Sequence, residues 1–160
     1  MDTLVIPGLL WFSAIGCGLI AGLYFSFSTF IMTALGRIDQ AAGIAAMNAI
    51  NVDIVRSAFL PLFLATTLSA AGLVVMGALR WGAPGSISMI AGGLLYVIGM
   101  FVVTMAFNVP LNNALAAAPG GANAGAVWAT YLRDWTLWNH VRTVTSTLAC
   151  IAFVHAIAVR

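Results

Sequence analysis

Lysine and glutamate are missing from this sequence altogether, and every formal charge is carried by six arginines and four aspartates. Charged residues make up 6% of the chain, against about 25% in a water-soluble domain. An ordinary soluble globule is thereby excluded. The net charge of +2, with no basic run, gives no footing for a nucleic-acid partner or an electrostatic lipid switch. The two cysteines, Cys17 and Cys150, lie in apolar segments, where a thiol is a small inert packing group, so neither a disulfide nor a metal role is expected. The two histidines, His140 and His155, stand about 22 Å apart along one helix and cannot clamp a single haem between them. There is no His-x-x-x-His, no Cys-x-x-Cys and no carboxylate cluster to bind a metal. Nucleophile elbows and phosphate loops are missing as well.

What remains is apolar. Hydrophobic residues form 62% of 160, and the mean hydropathy is +1.07. Several runs reach the roughly 20 residues that carry a helix across a bilayer. The fold expected is all-α: one integral membrane four-helix bundle over residues 1–160, with a short amphipathic helix between the first two crossings. The crossings are expected at about 4–35, 58–79, 87–107 and 141–159. The opening "MDTLVIPGLLWF" has neither a positive n-region nor a small-residue cleavage site, so the first segment reads as a retained span. Within it Ala14, Gly18, Gly22 and Ser26 recur every four residues, a seam along which a second helix, or a second copy of the chain in a homo-oligomer, can approach.

"GRIDQAAGIAAMNAINVDIVRSAF" is too polar to span and predicts a helix at the membrane surface or folded on the bundle. Pro61 stands in the first turn of the second crossing, where its missing N–H costs little. "RWGAPGS" is a tight turn. Gly92, Tyr96 and Gly99 share one face of the third crossing, which Pro110 is expected to end or kink near Asn108. "PGGANAG" predicts a loop, after which a helical region begins near Ala126 and leads into the fourth crossing.

With four crossings, the first-to-second and third-to-fourth connections share one side of the membrane. Those two connections hold Asn48, Asn51, Asp53 and Arg56, and Asn108, Asn112, Asn113, Asn139, His140 and Arg142. The polar groups therefore gather at one mouth. The arginine tally of four (Arg37, Arg56, Arg133, Arg142) against two (Arg80, Arg160) turns that mouth to the cytoplasm, and evens out if Arg56 and Arg142 belong to a site. At 100° per residue Trp128, Tyr131, Trp135, Trp138, Asn139, Arg142 and Ser146 share a face, and His140 points away from it. An aromatic belt with snorkelling arginines, and an Asp53–Arg56 pair, would give the same pattern without a site. Ionisable groups at the start of a spanning helix are nonetheless costly and tend to be paired or functional.

The ordered set "AGLYFSFSTFIMTAL", "AAMNAIN", "NVPLNNAL" and "WTLWNHVR" resembles the anthrone-oxygenase-like family of small integral membrane proteins (DUF1772) over nearly the whole chain. The resemblance implies a four-helix membrane fold in a bacterial inner (plasma) membrane. For a few members it implies oxidation of anthrones to anthraquinones by O₂. It marks Asn48, Asn51, Asn108, Pro110, Asn112, Trp135, Trp138, Asn139 and Arg142 as motif positions.

The function expected is oxidation by O₂ of an electron-rich, flat aromatic of the anthrone, phenol or quinol type at that mouth. No cofactor is required, because the carbanion of such a ring passes an electron to O₂ directly. Trp135, Trp138 and Tyr24 would line the slot, and Arg142 with Asn139, Asn112 or Asn51 would hold the oxyanion. His140 would be the base, with Asp53 second. Asn48, Arg56 and Asn108 complete the expected substrate contacts. Two competing classes stay open: a haem-, copper- or quinone-binding membrane protein, and a non-catalytic binder of small molecules or lipid.

Overall fold

The computed structural model describes residues 2–118, 121 and 123–160. Among them are five helices and no strand. Four are long and apolar enough to cross a membrane: α1 (Leu4–Leu35), α3 (Phe59–Leu79), α4 (Ser86–Ala116) and α5 (Ala124–Ala158). The fifth, α2 (Gln40–Arg56), connects α1 to α3. The chain is a four-helix membrane bundle with an amphipathic helix laid across one end.

Local chemistry accounts for the ends of these helices. The Asp39 carboxylate accepts from the Ala42 N–H at 3.1 Å and caps α2. Ser57 closes it, donating to the Ile54 carbonyl at 2.8 Å while accepting from the Phe59 N–H at 3.1 Å, so one hydroxyl serves both helix ends. The α3–α4 turn needs left-handed backbone at Gly82 (φ 86°) and Gly85 (φ 79°), which only glycine adopts cheaply.

The four spanning helices form a ring in which α1 packs on α5 and α3, and α4 packs on α3 and α5. Close approach is set by glycine where backbones meet. A Cβ on Gly93 would lie 2.6 Å from the Ala70 carbonyl oxygen, and one on Gly92 would lie 2.9 Å from the Phe153 ring. Ser13 and Ser69 share a buried hydrogen bond of 2.8 Å between α1 and α3, which satisfies two hydroxyls without water. Two apolar clusters fill the molecule. One, including Leu10, Tyr24, Phe63, Tyr96 and Phe153, fills the ring of spanning helices. The other, including Phe27, Met47, Leu115, Trp128 and Trp135, lies where α2 packs on the end of α4 and the start of α5.

Two expectations are corrected. Pro110 neither ends nor kinks the third helix at Asn108. Val109 is helical (φ −62°, ψ −46°), and α4 continues to Ala116. The reason is a π-helical stretch, Thr104–Asn108, immediately before Val109. It already moves the backbone ladder from i−4 to i−5 partners, so the missing proline N–H falls where the ladder changes register. The polar connection between the last two crossings is mostly helix, in line with the helical region expected from near Ala126: α5 begins at Ala124 and runs unbroken through Val141. The seam meets α5 at one end only: Ala14 is buried and its carbonyl accepts from the Cys150 thiol at 3.3 Å, and a Cβ on Gly18 would lie 3.7 Å from Cys150 Sγ. Gly22 is exposed, and a Cβ on it would meet nothing within 4 Å. Pro119, Gly120 and Ala122 of the expected "PGGANAG" loop lie outside the described residues.

Candidate functional site

A cavity of about 180 Å³ lies at the junction of the two apolar clusters, under α2. Its walls are mostly hydrocarbon and aromatic: Phe27, Met47, Ile50, Phe59, Phe63 and Trp135 are among them. Into this lining the fold brings six of the residues expected from the sequence, namely Tyr24, Asn51, Asn108, Asn112, Trp135 and Arg142. They come from α1, α2, α4 and α5, so the site exists only in the assembled bundle.

Arg142 is its electrostatic centre. The residue is 3% exposed, and its guanidinium carbon stands 4.1 Å from the centre of the Tyr24 ring and 5.0 Å from that of Trp135. These contacts stabilise a cation through the negative faces of the rings. One terminal nitrogen donates to Asn139 Oδ1 at 2.9 Å and the other reaches Thr104 Oγ1 at 3.5 Å, while Nε has no partner among the described residues. Neither does any carboxylate there pair with it: the one ion pair found joins the neighbours Arg133 and Asp134, at 2.6 Å on the surface. A buried cation without a counter-ion is expensive. The guanidinium thus stands without a counter-charge among the described residues.

Asn139 fixes Arg142 from behind. It is fully buried, and its amide nitrogen donates to the Tyr24 carbonyl and to Ser28 Oγ, both at 2.8 Å, which turns Oδ1 toward the guanidinium. Ser28 in turn pairs with Thr143 at 3.0 Å. Asn139 thus orients the cation without lining the cavity. Beside the cavity, the Tyr131 hydroxyl donates to Asn112 Oδ1 at 2.8 Å and accepts from Asn51 Nδ2 at 3.4 Å. This leaves Asn112 an N–H and Asn51 a carbonyl to present elsewhere. Asn108, fully buried, donates to the Trp135 carbonyl at 3.2 Å and keeps an unpartnered Oδ1.

The remaining expected site residues are elsewhere. His140 is exposed and off the cavity, because one helical step past Asn139 turns it about 100° away. The base expected there is not at the site. Asp53 and Arg56 are also exposed, on the outer side of α2, and do not pair with each other. Asn48 is half-buried, with a sequestered, unpartnered Oδ1, but does not line the cavity. Trp138 stacks on Phe107, ring centres 3.7 Å apart, instead of closing the slot.

Sequence reasoning passed over Thr104 and the anchoring role of Tyr131. A signal for the first existed: Thr104, Asn108 and Asn112 recur every four residues on α4. Tyr131 belongs to a stacked ladder with Trp128 and Trp135, ring centres 5.8 and 5.7 Å apart. Three π-helical turns, Phe27–Ile31, Thr104–Asn108 and Tyr131–Trp135, carry residues of the site or of its hydrogen-bond network. Such turns re-aim side chains and frequently mark functional positions. Among the described residues no three of His, Cys, Asp and Glu converge as metal ligands.

Comparison with known proteins gives a family. No curated protein and no solved structure matches the chain. The sequence model of the family described as anthrone oxygenase matches residues 49–152, which run from α2 through most of α5 and include Asn51, Thr104, Asn108, Asn112 and Arg142 of the cavity. With well over half its length matched, and with the four-helix membrane architecture in place, the chain belongs to the anthrone oxygenase family.

Proposed function

We propose that this membrane protein oxidises an electron-rich, flat aromatic of the anthrone or phenol type with O₂, binding it as its anion in the cavity beneath α2. The observation that carries the reading is Arg142, a guanidinium 3% exposed, set against two aromatic faces in an apolar cavity and without a carboxylate partner among the described residues. An enolate or phenolate oxygen supplies the missing charge. Its ring fills the space between the aromatic walls.

The chemistry needs little else. Loss of a proton from the ring methylene or hydroxyl gives an anion that Arg142 stabilises, with Asn112 able to add an amide donor. The anion transfers an electron to O₂, and the radical pair recombines at the ring carbon. Loss of water from the resulting hydroperoxide leaves a carbonyl. The methylene becomes C=O, one oxygen atom of O₂ is retained, and the other departs as water. With His140 turned outward, the proton goes to water at the cavity mouth, driven by the guanidinium field. Tyr24 and Trp135 hold the cation in place, and the apolar walls exclude water from the radical stage.

The test is O₂ uptake by purified protein in lipid with a dihydroxyanthrone and with a hydroquinone. Turnover well above the spontaneous rate for either, lost in Arg142→Met, is the expected result. Oxidation of both at the background rate would overturn the reading.

A further inference from the structure

Three buried polar atoms on residues lining the cavity have no partner among the described residues: Arg142 Nε, Trp135 Nε1 and Asn108 Oδ1. Two are donors and one is an acceptor. Buried polar atoms ordinarily find partners, and a ligand carrying both an oxygen acceptor and a hydroxyl offers partners of both kinds. The volume limits its size. An apolar protein cavity of about 150 Å³ takes up benzene, and this one measures about 180 Å³. One substituted ring fits; three fused rings would protrude from the mouth.

The mouth itself is apolar. Val55 on α2 and Met105 on α4 both line the cavity, and each is 52% exposed. Met105 stands about 28 Å along α4 from Ser86, at 1.5 Å per residue. That is close to the edge of a hydrocarbon core about 30 Å thick. The cavity therefore opens between α2 and α4 through an apolar mouth near one end of the spanning segment, and Arg142 is the single charged residue in its lining.

We infer that the site takes the head of a hydroquinone dissolved in the membrane: one ring with two oxygens, its apolar chain leaving past Val55 and Met105 into the lipid. The inference rests on the reading of the site as a binder of aromatic anions and narrows it to one substrate class. The hydroquinone loses one hydroxyl proton and sits as a monoanion, O⁻ on Arg142 and Trp135, O–H on Asn108 Oδ1. It gives two electrons to O₂, and its two protons follow. The products are the quinone and H₂O₂, with no oxygen atom entering the ring.

The experiment is anaerobic binding to the full chain in lipid nanodiscs, read by tryptophan fluorescence, with a decyl-substituted hydroquinone, the parent hydroquinone and a dihydroxyanthrone as probes. The decyl compound should bind at least about tenfold tighter than the dihydroxyanthrone, and admitting air should yield one H₂O₂ per ring oxidised. Met105→Trp, at a half-exposed position that tolerates bulk, should shrink the advantage of the decyl compound over the parent several-fold. Tighter binding of the dihydroxyanthrone overturns the inference and leaves the broader reading standing. An unchanged advantage in Met105→Trp overturns the exit of the chain into lipid. Binding of none of the three contradicts both readings.

Discussion

A single side chain, Arg142, separates a site from a packing accident in this molecule. Its charge is 3% exposed, held in orientation by Asn139 and flanked by the rings of Tyr24 and Trp135. Removing the charge in Arg142→Met should lower turnover about 100-fold, or about 2.7 kcal/mol of barrier, the usual cost of losing one oxyanion donor. Arg142→Lys keeps the charge but loses the planar stack, and should recover part of that loss. His140→Gln should leave turnover unchanged, since the imidazole faces outward. The pH profile follows from the same geometry. Activity should rise with pH as the substrate itself ionises and then level off, with no limb near 6.5 of the kind a catalytic histidine gives. A rate that collapses in His140→Gln would restore the imidazole as base.

At the scale of the element, the four crossings and the surface helix are readable from composition and periodicity, because hydrocarbon length and apolar runs depend on nothing but the local chain. The polar mouth was legible for a related reason: even-numbered threading brings the connections of Asn51 and Arg142 to one end whatever the packing. The π-helical turns were not legible. They arise from tertiary crowding, and each inserts a residue that shifts the helical phase beyond it. That is why Pro110 is carried without a break. Trp138, three residues past Trp135 in regular helix, is drawn off the slot by stacking on Phe107. Glycine spacing was a partial guide. Ala14 and Gly18 border Cys150 of α5, Gly22 faces outward, and close approach between α4 and its neighbours uses Gly92 and Gly93. Gly93→Ala, whose new methyl would press on the Ala70 carbonyl at 2.6 Å, should destabilise the bundle by about 1–3 kcal/mol in detergent unfolding. Gly22→Ala should leave the midpoint unchanged.

The whole molecule is a ring of four spanning helices with its polar chemistry at one end and α2 as a roof over the cavity. That arrangement makes a topological prediction. In a variant without Cys17 and Cys150, single cysteines at Asp39 and Ala117 should label from the same side of the membrane, and one at Trp81 from the other. Labelling of Asp39 and Ala117 from opposite sides would break the site apart. The central claim, that a buried guanidinium receives an aromatic anion, is tested most directly by the absorption spectrum of a bound ligand. A phenol or hydroxyanthrone titrated anaerobically with the protein, at a pH at least one unit below its free ionisation, should show the spectrum of its anion. The neutral spectrum should return in Arg142→Met. A ligand bound as its neutral form in both proteins would contradict the account.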